Sequence, residues 1–431
     1  MSRVACAAFF FIPSLKTART VFSTNFRFHL LEGSLYTSSF ALLNFQVVYP
    51  AIVQHLGGSN IAVGSLPVIN YLLYLLPQLV SANYVNMEPF RRPWVLAGGL
   101  AQRLQILLIA VVIALFGSGF PTLALMLFFL LFGLNQVIAG IVAPSWFDFV
   151  VKTTLPHHRG RLMGLRSSFG SGLGLLNSLV LAGLLTYFTF PWNYTLAFLL
   201  AFAFQFASWV WLRRVVEDAP SPTEPPVPLS RLIAKVMAIV RKDKVFRLFL
   251  ISTGLSIVGL MPQGFFTIAA LKRFELPESF IGFFTMTMLS AQVVFAGLLG
   301  WIADLKGYKI SLVVCSAAMV LASFIALFAQ HPVWYFVIFS FVGLIFGVEL
   351  MTRLNFVAEL ATNKNRPLYI GIMNAWSAPF FLSSLVAGWV SDNFGYDVVF
   401  IAGGVFALLG LTLLLQVEDP RSKKPEAGLP S

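Results

Sequence analysis

Glu349 and Arg353 stand four residues apart inside an apolar stretch, a spacing that puts opposite charges on one face of a helix. Ionisable groups at membrane depth are costly and face a bundle interior or pair with one another, so each is a functional candidate. This pair reads equally as a neutral structural link and as a proton-coupling site. Arg103 is the other embedded charge, and its long stem suits snorkelling or helix packing. Glu32 and Asp148 fall near the ends of apolar stretches, where a capping or latch role is expected. Uncharged candidates are Asn44, Gln46, Asn135, Gln136 and Gln263, with Asn70, Tyr74, Asn177, Gln292, Asn374 and Trp376 on neighbouring stretches. Such amides either bond helix to helix, for well under about 2 kcal/mol each, or touch a ligand. As a set they describe a polar, weakly charged cavity for a neutral, zwitterionic or amphipathic solute. No cluster of Lys or Arg stands at mid-depth to hold a phosphate or a dicarboxylate. Catalysis is not expected: His55, His157 and His158 fall in loops or at helix ends, and neither a Gly-rich phosphate loop nor metal-ligand spacing is present. Neither a cofactor nor a metal is expected.

The elements that must carry these residues are membrane helices. Of 431 residues 58% are hydrophobic and only 11% charged, and the mean hydropathy is +0.84. A soluble domain carries about a quarter charged residues to solvate its surface. The 55 Pro and Gly residues sit inside apolar stretches long enough to cross a bilayer, which excludes disordered and fibrous classes. Spans fall near 31–53, 61–82, 94–117, 121–145, 164–189, 191–213, 245–270, 280–303, 310–329, 333–355, 368–391 and 397–416. The expected fold is an all-α polytopic membrane protein of twelve transmembrane helices. Pro50, Pro67, Pro77, Pro144, Pro262 and Pro379 fall within or at the edges of spans, where kinks free carbonyls. Cys6 and Cys315 are the only cysteines and no disulfide is expected.

The formal charge of +12 follows from topology. With the N-terminus inside, about 26 of the 29 basic residues collect on one side, while the opposite loops hold Lys272 and Arg273. This positive-inside bias puts both termini in the cytoplasm of a plasma (inner) membrane protein and leaves nucleic acid without a role. The short apolar run Val4 to Ile12 reads as a cytoplasmic lead rather than a cleaved signal. Between the sixth and seventh spans, a stretch with five prolines from Pro220 to Pro228 precedes a basic amphipathic helix through Leu229, Leu232, Val236 and Val240. The expected organisation is a lead (1–30), a six-helix bundle (31–213), a cytoplasmic linker (214–244), a second six-helix bundle (245–416) and a tail (417–431).

The two bundles read as a duplication. Asp148-Phe149-Val150, Arg159 and Gly164 align with Asn355-Phe356-Val357, Arg366 and Gly371 at a constant offset of 207, and Gly64 aligns with Gly282 at 218. At Gly300-Trp301-Ile302-Ala303-Asp304-Leu305-Lys306-Gly307-Tyr308-Lys309 the chain matches the pattern Gly-x-Leu-Ala-Asp-Arg-x-Gly-Arg-Lys. Gly300 would allow close helix approach, Asp304 would cap or pair, and Gly307 would permit a tight turn anchored by Lys306 and Lys309. The chain thereby resembles the major facilitator superfamily along its whole length. Residues Asn25 through Gly33, Pro50, Leu56-Gly57-Gly58-Ser59, Gly64 and Gln102-Arg103 resemble a prokaryotic permease subgroup. The first-half copy of the loop motif keeps only Arg91, Arg92 and the entry into Trp94, with no Asp at the expected place.

The resemblance implies two pseudo-symmetric six-helix bundles whose spans 1, 4, 7 and 10 line a central cavity. Asn44, Gln46, Asn70, Asn135, Gln136, Gln263, Asn374 and Trp376 are then the substrate candidates, with Glu349 and Arg353 for proton coupling. It also implies a gating loop at Gly300, Asp304, Gly307 and Lys309, joined by Arg91, Arg92, Arg159 and Arg366, with Arg353 or Arg366 as partner of Asp304. Span 5 carries Gly170, Gly172 and Gly174 but lacks the Gly-Pro pairing of the antiporter motif, which argues against a drug antiporter. The expected function is a monomeric secondary transporter, with or without protons, moving a small solute across the lipid bilayer by alternating access. A non-transporting assembly or sensing factor of the same fold is the alternative, and a flippase-like lipid or pigment carrier a third.

Overall fold

The computed structural model describes residues 15–221, 223, 237, 239–361 and 366–419. The apolar run from Val4 to Ile12, Cys6, most of the amphipathic stretch at 229–240 and the tail from 420 lie outside the described residues. The first half contains α1 (Leu15–Ser39), α2 (Val48–His55), α3 (Asn60–Tyr84), α4 (Arg92–Phe116), α5 (Pro121–Thr153), α6 (Arg159–Tyr187) and α7 (Trp192–Leu212). The second contains α8 (Lys244–Gly259), α9 (Gln263–Arg273), α10 (Ser279–Lys306), α11 (Tyr308–Phe328), α12 (Val333–Leu360), α13 (Arg366–Ser377), α14 (Ser383–Phe394) and α15 (Tyr396–Gln416). Among the described residues, eleven segments are long and apolar enough to cross a bilayer. The twelfth crossing is the first, made by α1 and α2 together.

That crossing is broken rather than continuous over 31–53. Residues 40–47 leave the helix, and the Asn44 side-chain oxygen accepts the backbone N–H groups of Gln46 and Val47 at 3.0 Å each. A short amide thus replaces the carbonyl partners that lipid cannot supply. Pro262 breaks the seventh crossing between α8 and α9, and a 3-10 segment at Ala378–Leu382, containing Pro379, breaks the eleventh between α13 and α14. Because α1 begins at Leu15, part of the stretch expected as a lead belongs to the bundle: Asn25 donates to the Val216 carbonyl at 2.9 Å.

The halves pack alike. In the first, α5 lies against α3 and α4, and α7 against α1 and α4; in the second, α12 lies against α10 and α11, and α15 against α8 and α11. Between halves, α3 meets α14 and α6 meets α10. The face carrying Arg91, Arg159, Lys309 and Arg366 is the basic face, and the opposite one the far face. Toward the far face one apolar core serves both halves, joining Val47, Ile52, Phe128 and Phe198 to Phe265, Phe284 and Phe339. Toward the basic face the core divides: Val95, Phe149, Leu212 and Val215 cluster in the first half, and Phe246, Phe249, Phe356 and Met373 in the second.

Candidate functional site

The seam between the halves starts from small residues. Added Cβ atoms would run into the Ser384 backbone from Gly64, into the Asn60 backbone from Gly388 and into the Ala182 backbone from Gly282. In lipid there is no hydrophobic force between helices, so such close backbone approach supplies the attraction by van der Waals contact. Below the seam, Tyr71 of α3 stacks on Phe381 across the halves, with ring centroids 3.9 Å apart and planes at 14°. Phe45 lies edge-on to Tyr71 at 5.8 Å and to Phe346 of the second half at 6.1 Å. Pro67, Tyr71, Ile257, Met261, Gln263 and Phe381 line a small crevice there.

Several substrate candidates gather at this level. Gln46 sits in the break of the first crossing and Gln263 at the break of the seventh, and both side-chain nitrogens are buried without a hydrogen-bond partner. The Thr267 hydroxyl, one turn beyond Gln263, donates to the Gln46 carbonyl at 3.4 Å. Asn44 reaches Met288 Sδ at 3.9 Å, but its oxygen is spent on capping α2. Asn70 and Asn374 are half-buried on α3 and α13, and Trp376 donates its indole N–H to the Leu250 carbonyl at 2.8 Å. Asn135 stands apart, bonding the Gln102 carbonyl of α4 at 2.7 Å, with half-buried Gln136 beside it.

Glu349 and Arg353 form an ion pair along α12. They share a crevice with Ser252, Thr253, Ser256 and Ser316, whose hydroxyls can accept or donate hydrogen bonds. A second embedded pair escaped the sequence reading. Arg166 lies 2.8 Å from Glu32, with side chains 8% and 3% exposed. Its guanidinium lies 4.9 Å from the Trp146 ring, in space that Gly33 leaves open. Nearby, His29 meets the Thr153 hydroxyl at 2.7 Å. A basic residue seven positions into a helix was the available signal; its partner, 134 residues away, was not. Arg103 packs inside the first half, donating to Gln205 O at 2.6 Å, Gly99 O at 2.7 Å and Ser208 Oγ at 3.0 Å.

At the basic face the gating candidates bond within their own halves. Arg91, 2% exposed, pairs with Asp148 at 2.7 Å. Glu217 accepts the backbone N–H groups of Arg91 and Arg92, at 3.0 and 2.9 Å, and pairs with Lys152 at 2.7 Å. Burial pushes the Glu217 carboxyl up, but the Lys152 bond and the two N–H donors outweigh it and hold it below the usual carboxylate range. Arg159 and Arg366 bond carbonyls at the ends of α5 and α12, and Lys309 bonds the Leu415 carbonyl at 2.9 Å. Gly307 adopts φ +92° in the one-residue turn between α10 and α11, a conformation that requires glycine. Gly300 faces open space, so it brings no helix close. Asp304 is exposed near the end of α10, while the partners expected for it, Arg353 and Arg366, are engaged with Glu349 and the Ala358 carbonyl.

The Major Facilitator Superfamily model matches residues 33–290 and 265–431. The chain belongs to the major facilitator superfamily. Superfamily membership puts it among multi-pass membrane transporters rather than enzymes. Its fold matches the nucleoside transporter NupG with a TM-score of 0.70 and 10% identity, covering 92% of this chain and 99% of that one. A D-xylose-proton symporter matches at 0.67 with 15% identity over 94% and 99% of the two chains. A POT family transporter in complex with 5-aminolevulinic acid matches at 0.67 with 14% identity over 96% and 98%. No curated protein matches in sequence.

Proposed function

We propose that this superfamily member is a secondary active transporter that carries a small neutral, zwitterionic or amphipathic solute by alternating access. The observation that carries the reading is the core itself, shared between halves at the far face and divided at the basic face. Two six-helix bodies joined at one end are the mechanical requirement of rocking about a central site. The basic face is cytoplasmic by the positive-inside rule, so the arrangement is the state closed to the outside. The substrate lies at the level of the Tyr71–Phe381 stack, where Gln46 and Gln263 offer unpartnered donors and aromatic rings offer apolar walls. That mixture suits a polar organic solute without strong charge, as do structural neighbours described as nucleoside, xylose and POT family transporters.

Coupling to protons runs through Glu349. Protonating its carboxylate removes the charge that balances Arg353 and leaves one net positive charge inside the second half. The surrounding hydroxyls supply a route for that proton.

Thermal unfolding of the detergent-solubilised protein against sugars, nucleosides, amino acids, dipeptides and cationic amphiphiles, at two pH values, tests both parts. A binding solute raises the midpoint by mass action and then shows flux in proteoliposomes. Glu349→Gln should keep binding and abolish its pH dependence. Binding and flux by none of these classes would overturn the transporter reading in favour of a non-transporting member of the fold.

A further inference from the structure

We propose that Asp392 is the positioning residue that holds the far face closed, by capping the first turn of α3 from the opposite half. The first N–H groups of a helix have no partner within it and carry the positive end of its dipole. At α3, Ser59 Oγ accepts from Ala62 at 3.3 Å, which accounts for the third position. The first two are met from across the seam: Asp392 Oδ1 accepts from Asn60 N at 3.1 Å, and Oδ2 from Ile61 N at 3.2 Å. The cap of α3 is therefore complete only while α14 lies against it. Gly388, one turn earlier on α14, admits the Asn60 backbone and sets this approach.

The Asn60 side chain is held from both sides, accepting from Gln54 Nε2 at 2.9 Å in its own half and from the Tyr396 hydroxyl at 3.1 Å in the other. Lys272 stands 3.3 Å from that hydroxyl. The other crossing is built differently: where α10 meets α6, His55 pairs with Glu278 at 2.9 Å and Asn193 donates to Glu278 at 3.3 Å. No helix start is capped there by an opposing carboxylate among the described residues. Asp392 is itself exposed, so water can take over both its oxygens and the freed N–H groups when the halves part. A contact of that kind biases an equilibrium without welding it.

The inference rests on alternating access. Its test is spin-label distance measurement in a Cys6→Ser, Cys315→Ser background. Tyr187→Cys with Phe328→Cys spans the far face, and Trp94→Cys with Leu305→Cys spans the basic face. Asp392→Asn keeps the shape and removes the charge; it should raise the far-face-open population by roughly three- to tenfold. The basic-face distance should shorten with it, the thermal midpoint should hold, and Asp392→Glu should restore the parent distribution. Gly64→Trp, which forces the same crossing apart sterically, is the reference. If Gly64→Trp opens the far face and Asp392→Asn leaves it unchanged, alternating access stands and the Asp392 proposal fails. If neither moves the distances, both fail. A fall in midpoint with blurring of both distances would make Asp392 a folding residue and overturn the proposal.

Discussion

Arg159 and Arg366 stand 207 residues apart, and each reaches back eight residues to the helix before it. Arg159 Nη2 lies 2.8 Å from the Val151 carbonyl, and Arg366 Nε lies 3.0 Å from the Ala358 carbonyl. Val151 and Ala358 are themselves 207 residues apart. The same guanidinium closes the same helix end in both halves, where the last carbonyls have no partner and the dipole is negative. Arg159→Ala should lower stability by about 1 kcal/mol and Arg366→Ala, more exposed, by less. Thermal midpoints of the two variants in one detergent check this; an equal or reversed order would mean that solvent exposure does not set the cost.

Glu217 gathers three donors, from Arg91, Arg92 and Lys152. Its carboxyl is held below its ordinary value, so its contribution is fully present above that value. It is lost as pH falls through the lower folded-state value. The midpoint of the parent protein should therefore decline below about pH 4.5 more steeply than that of Glu217→Gln, which should start lower by on the order of 2 kcal/mol. Parallel pH curves for the two proteins would remove Glu217 from this role.

The Glu32–Arg166 pair is enclosed on both sides. Arg166→Ala leaves a buried carboxylate alone and should cost about 3–5 kcal/mol, whereas Glu32→Leu with Arg166→Met should recover most of that loss. A double-mutant cycle by chemical or thermal unfolding measures the coupling. Additive losses would show that the two charges do not depend on each other.

Gly282 lies against the Ala182 backbone at the α6 and α10 crossing. Gly282→Leu should prevent the far face from closing and make a cysteine placed at Ala182 react with a membrane-impermeant maleimide added from that side. Unchanged protection would show that the crossing tolerates a side chain.

Hydropathy alone was enough to read an all-helical chain of many membrane crossings, because lipid demands long apolar helices whatever they touch. The loop repeat at offset 207 was equally legible, since it is a pattern of residue types in order. Packing decided the rest. The break at residues 40–47 turns on one amide, Asn44, folding back onto its own backbone, and a window of apolar residues reads straight through it. Arg166 gains its partner Glu32 only because α1 packs against α6, and Asp392 gains its two donors only where α3 arrives from the other half. Gln46 and Gln263 were visible as polar residues in lipid, but their closeness depends on two broken helices meeting. Pairings between residues more than a hundred positions apart are set by which helices pack together, and that choice rests on shape and close approach, which leave no periodic trace in the chain.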